Sequence, residues 1–187
     1  MSEQLVTYEL EGEIGAPVKF GEILLVANTL STRLSRELQM IVKDTQVQYP
    51  QVQNVSFQGE RKAVSGQDNG DQIIFVANEA GQYVADGETH SGLVTLSYRV
   101  EPNPDVQGLY YLIRDEVPNI QPLEEALSKI MTFPVTKRLL SLEFNYYDST
   151  SGQWRQDWAD PRTIPAMIAY KFRLQSEGGR VFTFATA

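Results

Sequence analysis

Leu139-Leu-Ser-Leu-Glu-Phe-Asn-Tyr-Tyr-Asp148 runs into a Ser/Thr/Gly turn, then Gln153-Trp-Arg-Gln-Asp-Trp158, then Ile164-Pro-Ala-Met-Ile-Ala-Tyr-Lys-Phe-Arg-Leu174. In the first piece Leu140, Leu142, Phe144 and Tyr146 alternate with Ser141, Glu143, Asn145 and Tyr147. After the proline, Ile168, Tyr170, Phe172 and Leu174 alternate with Ala169, Lys171 and Arg173. Successive side chains of an extended chain point to opposite faces, so this period of two predicts a pair of half-buried strands flanking a short segment that carries Trp154 and Trp158.

Upstream the period changes. Phe20, Ile23, Ala27, Leu30, Leu34, Leu38 and Ile41 recur at steps of three and four, which places them on one stripe of a helix. The spacing predicts a long N-terminal amphipathic helix over about residues 20–44, with Pro50 bounding the segment that follows. Beyond Pro50, Val55 to Gln58, Gln72 to Ala77, Leu93 to Val100 and Leu109 to Ile113 read as strands. They are parted by the polar turn Ser65 to Asp71 and by Glu101-Pro-Asn-Pro-Asp105, which cannot continue a central strand. Pro122, with Glu124 and Glu125 after it, opens a short helix near residues 123–130. No repeat or linker divides residues 1–187, and the expectation is one α+β domain: a helix over about 20–44 packed on an antiparallel sheet that occupies most of 53–187.

The sequence has 187 residues, of which 42% are hydrophobic and 21% charged, the balance of an ordinary globular chain. Sixteen basic against 24 acidic residues give a net charge of −8. That charge repels phosphate backbones, so nucleic acid is not an expected partner. There is no cysteine, which excludes disulfides, thiol catalysis and cysteine-bound zinc. Apolar runs such as Ile23 to Ala27 are far shorter than the ~20 residues of a membrane-spanning helix.

The series "strand, Tyr-x-Asp turn, Trp-x-x-x-Trp, loop, Ile-Pro, strand" from Leu139 to Leu174 resembles the C-terminal half of the minor pseudopilin J family of bacterial type II secretion systems. Asp71-Gln-Ile-Ile-Phe-Val76 resembles an early strand of that family, and Leu93 to Val100 followed by Gly108-Leu-Tyr-Tyr-Leu-Ile-Arg-Asp115 resembles its central hairpin. Trp154, Trp158 and Pro165 are the specific part of the match. The resemblance implies a pilin-like fold and a non-enzymatic subunit of the complex that caps the periplasmic pseudopilus. It further implies the I and K minor pseudopilins as partners, and a periplasmic location on an inner-membrane anchor that this chain does not contain. Met1 to about Lys19 match nothing in the family pattern. A type IV pilus minor pilin and a periplasmic or secreted carbohydrate-binding module are the alternatives.

Catalytic chemistry finds little to stand on. His90, the only histidine, lies in the turn-like Asp86-Gly-Glu-Thr-His-Ser-Gly92, and no Gly-x-Ser-x-Gly elbow offers it a nucleophile. Asp68 and Asp71, and separately Asp148, Asp157 and Asp160, are oxygen ligands on loops that calcium can use, but neither set has EF-hand spacing. Asp in turns is expected simply because its carboxylate bonds nearby amides. No catalytic residue, metal or cofactor is therefore expected. For Trp154 and Trp158 burial against the sheet is preferred to sugar stacking, because large rings usually supply buried area. On the helix, Leu25 and Met40 project away from the apolar stripe with Val26 at its margin, and these three are the expected partner interface.

Overall fold

The computed structural model describes residues 6–11, 17–41, 47–49, 52–65, 68–78, 84–85, 88–89, 93–118 and 130–186. Strand β1 (Val6–Glu11) precedes the helix α1 (Pro17–Gln39). After the helix come β2 (Val47–Tyr49), β3 (Val52–Val55), β4 (Phe57–Glu60), β5 (Ala63–Ser65), β6 (Asp68–Asn69) and β7 (Gln72–Asn78). They are followed by β8 (Val84–Ala85), β9 (Glu88–Thr89), β10 (Leu93–Pro102), β11 (Tyr110–Pro118), β12 (Met131–Asp148), β13 (Gln153–Arg155), β14 (Met167–Gln175) and β15 (Val181–Thr186). One antiparallel sheet of nine strands runs β1-β15-β14-β12-β11-β10-β7-β4, with β13 added to β12. The pairs β2-β3, β5-β6 and β8-β9 stand apart from it.

The chain is therefore mostly β, a curled antiparallel half-barrel, and this overturns the expected α+β, pilin-like class in which a long N-terminal helix packs on a sheet. Two features account for the difference. The helix is not the first element: β1 comes before it and pairs with the last strand, from Val6 opposite Thr186 to Glu11 opposite Val181. The sheet also makes its own core, to which α1 adds Ala27, Leu30 and Leu34 among the described residues. An amphipathic stripe shows that a helix has a buried face, but not how much of the core that face provides. The helix also starts and stops earlier than residues 20–44: Pro17, which lacks an amide proton, begins it, and Met40 N bonds Glu37 O at 3.1 Å as it ends. The helix expected near 123–130 falls on residues 119–129, outside the described residues, and Ile130 is exposed and not helical.

The strand alternation places Phe144, Tyr146, Tyr170, Phe172 and Leu174 on the inner face, nearly or fully buried. Their rings form a row across five strands: Phe75 to Phe57 at 6.5 Å, Phe57 to Tyr146 at 5.6 Å, Tyr146 to Phe144 and Phe144 to Tyr170 at 6.4 Å, and Phe172 to Phe184 at 5.1 Å. Such offset and edge-to-face pairs add to the area they bury. The alternation breaks at one point. A register shift between Leu139 and Ser141 against β14 buries Leu139 and Ser141 and leaves Leu140 half-buried, as an inserted residue flips the faces of a strand.

Side chains fasten α1 to the sheet. The Glu37 carboxylate accepts from Tyr98 Oη at 2.5 Å and from Arg114 Nε at 3.1 Å, while Arg114 Nη1 reaches Glu116 at 2.9 Å. Arg114 is fully buried; burial works against its charge, but Glu37, Tyr98 and Glu116 hold its pKa above the ordinary value. One turn away along the helix, Tyr170 Oη lies 2.8 Å from Ser31 Oγ and 2.9 Å from Ser35 Oγ and donates to Ser31 O at 3.0 Å.

Candidate functional site

The curl brings the edge strand β4 back toward the long strand β12, and the segment after β13 fills the gap. Gly59 and Trp158 exchange both backbone bonds, at 3.0 and 2.8 Å, and Ser56 N donates to Pro161 O at 2.9 Å. An open strand edge invites pairing with another chain, and here the tryptophan loop occupies it. A second seam lies beside it: Gly70 bridges Leu142 in parallel, and Asp71 N donates to Leu142 O at 2.9 Å. Gly59 is required by contact, because a Cβ there sits 2.1 Å from the Tyr146 hydroxyl.

The two tryptophans have different tasks. Trp158 is 7% exposed, packs 6.4 Å from Tyr146 and donates Nε1–H to Thr163 O at 3.0 Å. Trp154 is 51% exposed, which corrects the expectation that both rings pack into the core. Tyr147 pairs with Trp154 on one side and Met167 on the other, so these three form a cross-strand row on the outer face. The Trp154 and Tyr147 rings lie 5.4 Å apart, and Met167 is 52% exposed. Pro165 is buried, and the next residue, Ala166, donates its amide to Tyr147 O at 2.9 Å to start β14.

Between this loop and the Asp148 turn lies a half-open cleft of about 530 Å³, lined by Thr150, Arg155, Trp158, Asp160, Arg162 and Thr163 among others. Its acidic groups are engaged in turns. Asp148 accepts from Thr150 N at 2.9 Å and Ser151 Oγ at 2.9 Å, and it pairs with Arg155 at 2.6 Å. Those bonds hold its carboxyl below the usual range. Asp160 caps Arg162 N at 3.0 Å. Arg155 in turn lies over the Trp158 ring at 5.8 Å. Among the described residues no three metal-ligating side chains converge, and Asp148, Asp157 and Asp160 do not form such a group. His90 and the Asp68 side chain lie outside the described residues.

On the helix, Leu25 is 68% and Val26 38% exposed. Met40, the third residue of the expected partner interface, is half-buried and packs against the core. Sequence reasoning weighed Asp71 as a calcium ligand or a turn residue and missed its buried place. Its carboxylate is buried at the second seam, accepting from Phe144 N at 2.8 Å, and burial raises its pKa to about 6 against that bond and the nearby Arg61. No described helix is long and apolar enough to cross a membrane. Compared with known proteins, the chain matches no family model and no curated protein.

Proposed function

We propose that this chain is a non-enzymatic assembly subunit, a minor pseudopilin of the J type that works by presenting surfaces to the I and K pseudopilins at the tip of a secretion pseudopilus. The observation that carries the reading is the ordered series from Leu139 to Leu174, in which each marker has a separate structural task. Asp148 makes the turn, Trp158 seals the β4 edge and Pro165 precedes β14. Leu25 and Val26, apolar and exposed on the helix, are the surface assigned to a partner. In this reading an upstream inner-membrane anchor reaches the domain through β1 at the sheet edge and not as a continuation of α1, since β1 precedes the helix.

Size-exclusion chromatography with light scattering tests it. Mixing with cognate I and K domains at micromolar concentration is expected to give a co-eluting complex that Leu25→Asp weakens. Free monomer beside both partners contradicts the proposal. Exposure of Trp154 beside Tyr147 favours one second reading, a glycan-stacking platform. Glycan-array signal that disappears in Trp154→Ala, together with no complex, replaces the first reading by the second.

A further inference from the structure

The cleft between the Asp148 turn and the tryptophan loop has walls held by their own bonds. Gly152, at a positive φ of 68°, donates its amide to Asp148 O at 2.8 Å, and the Asp148 carboxylate fastens the same turn. On the other wall Thr163 N donates to Asp160 O at 3.3 Å, and Trp158 Nε1–H reaches Thr163 O at 3.0 Å. A ligand entering such a space meets groups already in place, so little ordering has to accompany binding. The volume of about 530 Å³ falls within the ~300–1,000 Å³ of small-molecule sites.

We infer that this cleft binds a neutral polyhydroxylated ligand, a mono- or disaccharide. Its lining is balanced in charge and in hydrogen-bonding sense: Arg155 and Arg162 supply donors, Asp148 and Asp160 supply acceptors, and the Thr150 and Thr163 hydroxyls can do either. Asp160 Oδ1 is taken by Arg162 N at 3.0 Å, but Asp160 Oδ2 and the Arg162 guanidinium bond nothing among the described residues. A sugar hydroxyl donates and accepts at once, so one ring can bond to both kinds of group, whereas a charged ligand matches one sign and is opposed by the other. Trp158 and Ile164 give the lining its apolar part, against which the C–H face of a ring can rest.

Other ligand classes fit less well. An anion meets Asp148 and Asp160 on a chain of net charge −8. A metal ion finds Asp148 already engaged by Thr150 N, Ser151 Oγ and Arg155, and no convergent ligand set among the described residues. The cleft is also separate from the Trp154 platform. Neighbouring residues of β13 point to opposite faces, Trp154 to Tyr147 on the outer one and Arg155 to Asp148 and Trp158 in the cleft. The inference therefore rests neither on the assembly reading nor on that platform.

Amide NMR of the full chain titrated with maltose, cellobiose and diacetylchitobiose tests the site, with inorganic phosphate and calcium chloride as controls. The expected result is a saturable shift at the Thr150, Arg155, Trp158 and Arg162 amides with at least one disaccharide, and none there with either control. Asp160→Asn, which keeps the acceptor that Arg162 N uses, and Arg162→Ala, at an exposed position, should each weaken that binding roughly ten-fold or more, the share of a hydrogen bond to a charged group. No saturable shift with any of the disaccharides, binding that survives both cleft variants, binding lost in Trp154→Phe, or phosphate or calcium at the same amides overturns the inference. Co-elution with the I and K domains is read separately and bears only on assembly.

Discussion

Helix α1 is fastened to the sheet by side chains, Glu37 to Arg114 and Tyr98 and the Ser31–Ser35 pair to Tyr170. The tryptophan loop is fastened to β4 by backbone amides, Gly59 to Trp158 and Ser56 to Pro161, with one ring beneath. The first attachment depends on which groups are present, since a buried ion cluster is costly once a partner is lost. The second depends on shape, since it needs a residue without a Cβ at 59 and a ring at 158. The two should therefore fail differently.

The largest effects are expected in the helix clamp and, of equal size, at the ring beneath the loop. Arg114→Ala leaves Glu37 and Glu116 buried without their cation and should cost about 3–5 kcal/mol in denaturant unfolding. Replacing Glu37, Arg114 and Glu116 together by apolar residues of similar volume should recover most of that loss, which distinguishes a buried-charge penalty from lost packing. At the loop, Trp158→Ala should cost about 3–5 kcal/mol, the range for truncating a core ring. Gly59→Ala, which forces the Tyr146 ring and its hydroxyl aside, should cost about 1–3 kcal/mol. Pairing it with Tyr146→Phe should not relieve that cost, because the ring carbon Cζ lies only 2.2 Å from the added Cβ, whereas Tyr146→Leu, which removes the ring edge, should relieve part of it. Smallest of all, Leu25→Asp should stay within about 0.5 kcal/mol of the parent and be read only in partner binding.

The same contrast marks what the sequence could tell. Local periodicity located the strands around Leu93 to Val100, Leu140 to Tyr147 and Ile168 to Leu174, because a half-buried strand writes its pattern into adjacent residues. It could not locate the β1–β15 pairing, which joins Val6 to Thr186 across almost the whole chain and decides that the helix is not the first element. The bulge at Leu139 to Ser141 was hidden for a related reason: a strand's faces exchange when its partner's register shifts, and no residue there announces it. Leu25 lay where a helical projection puts it, whereas Met40 sits at the last turn, where the end of the helix allows it to pack on the core. Asp71 was unreadable because turn aspartates and buried ones share the same neighbours in sequence. The tryptophan pair was half legible: spacing marks a motif, but burial is set by which ring the Gly59 bridge draws in.

That division of labour between Trp158 and Trp154 underlies the seal on β4 and leaves Trp154 exposed beside Tyr147. Acrylamide quenching of single-tryptophan variants measures it directly. With Trp154→Phe, the remaining Trp158 emission should be blue-shifted and weakly quenched; with Trp158→Phe, the remaining Trp154 should be red-shifted and readily quenched. Equal quenching of the two, or the reverse order, contradicts the account.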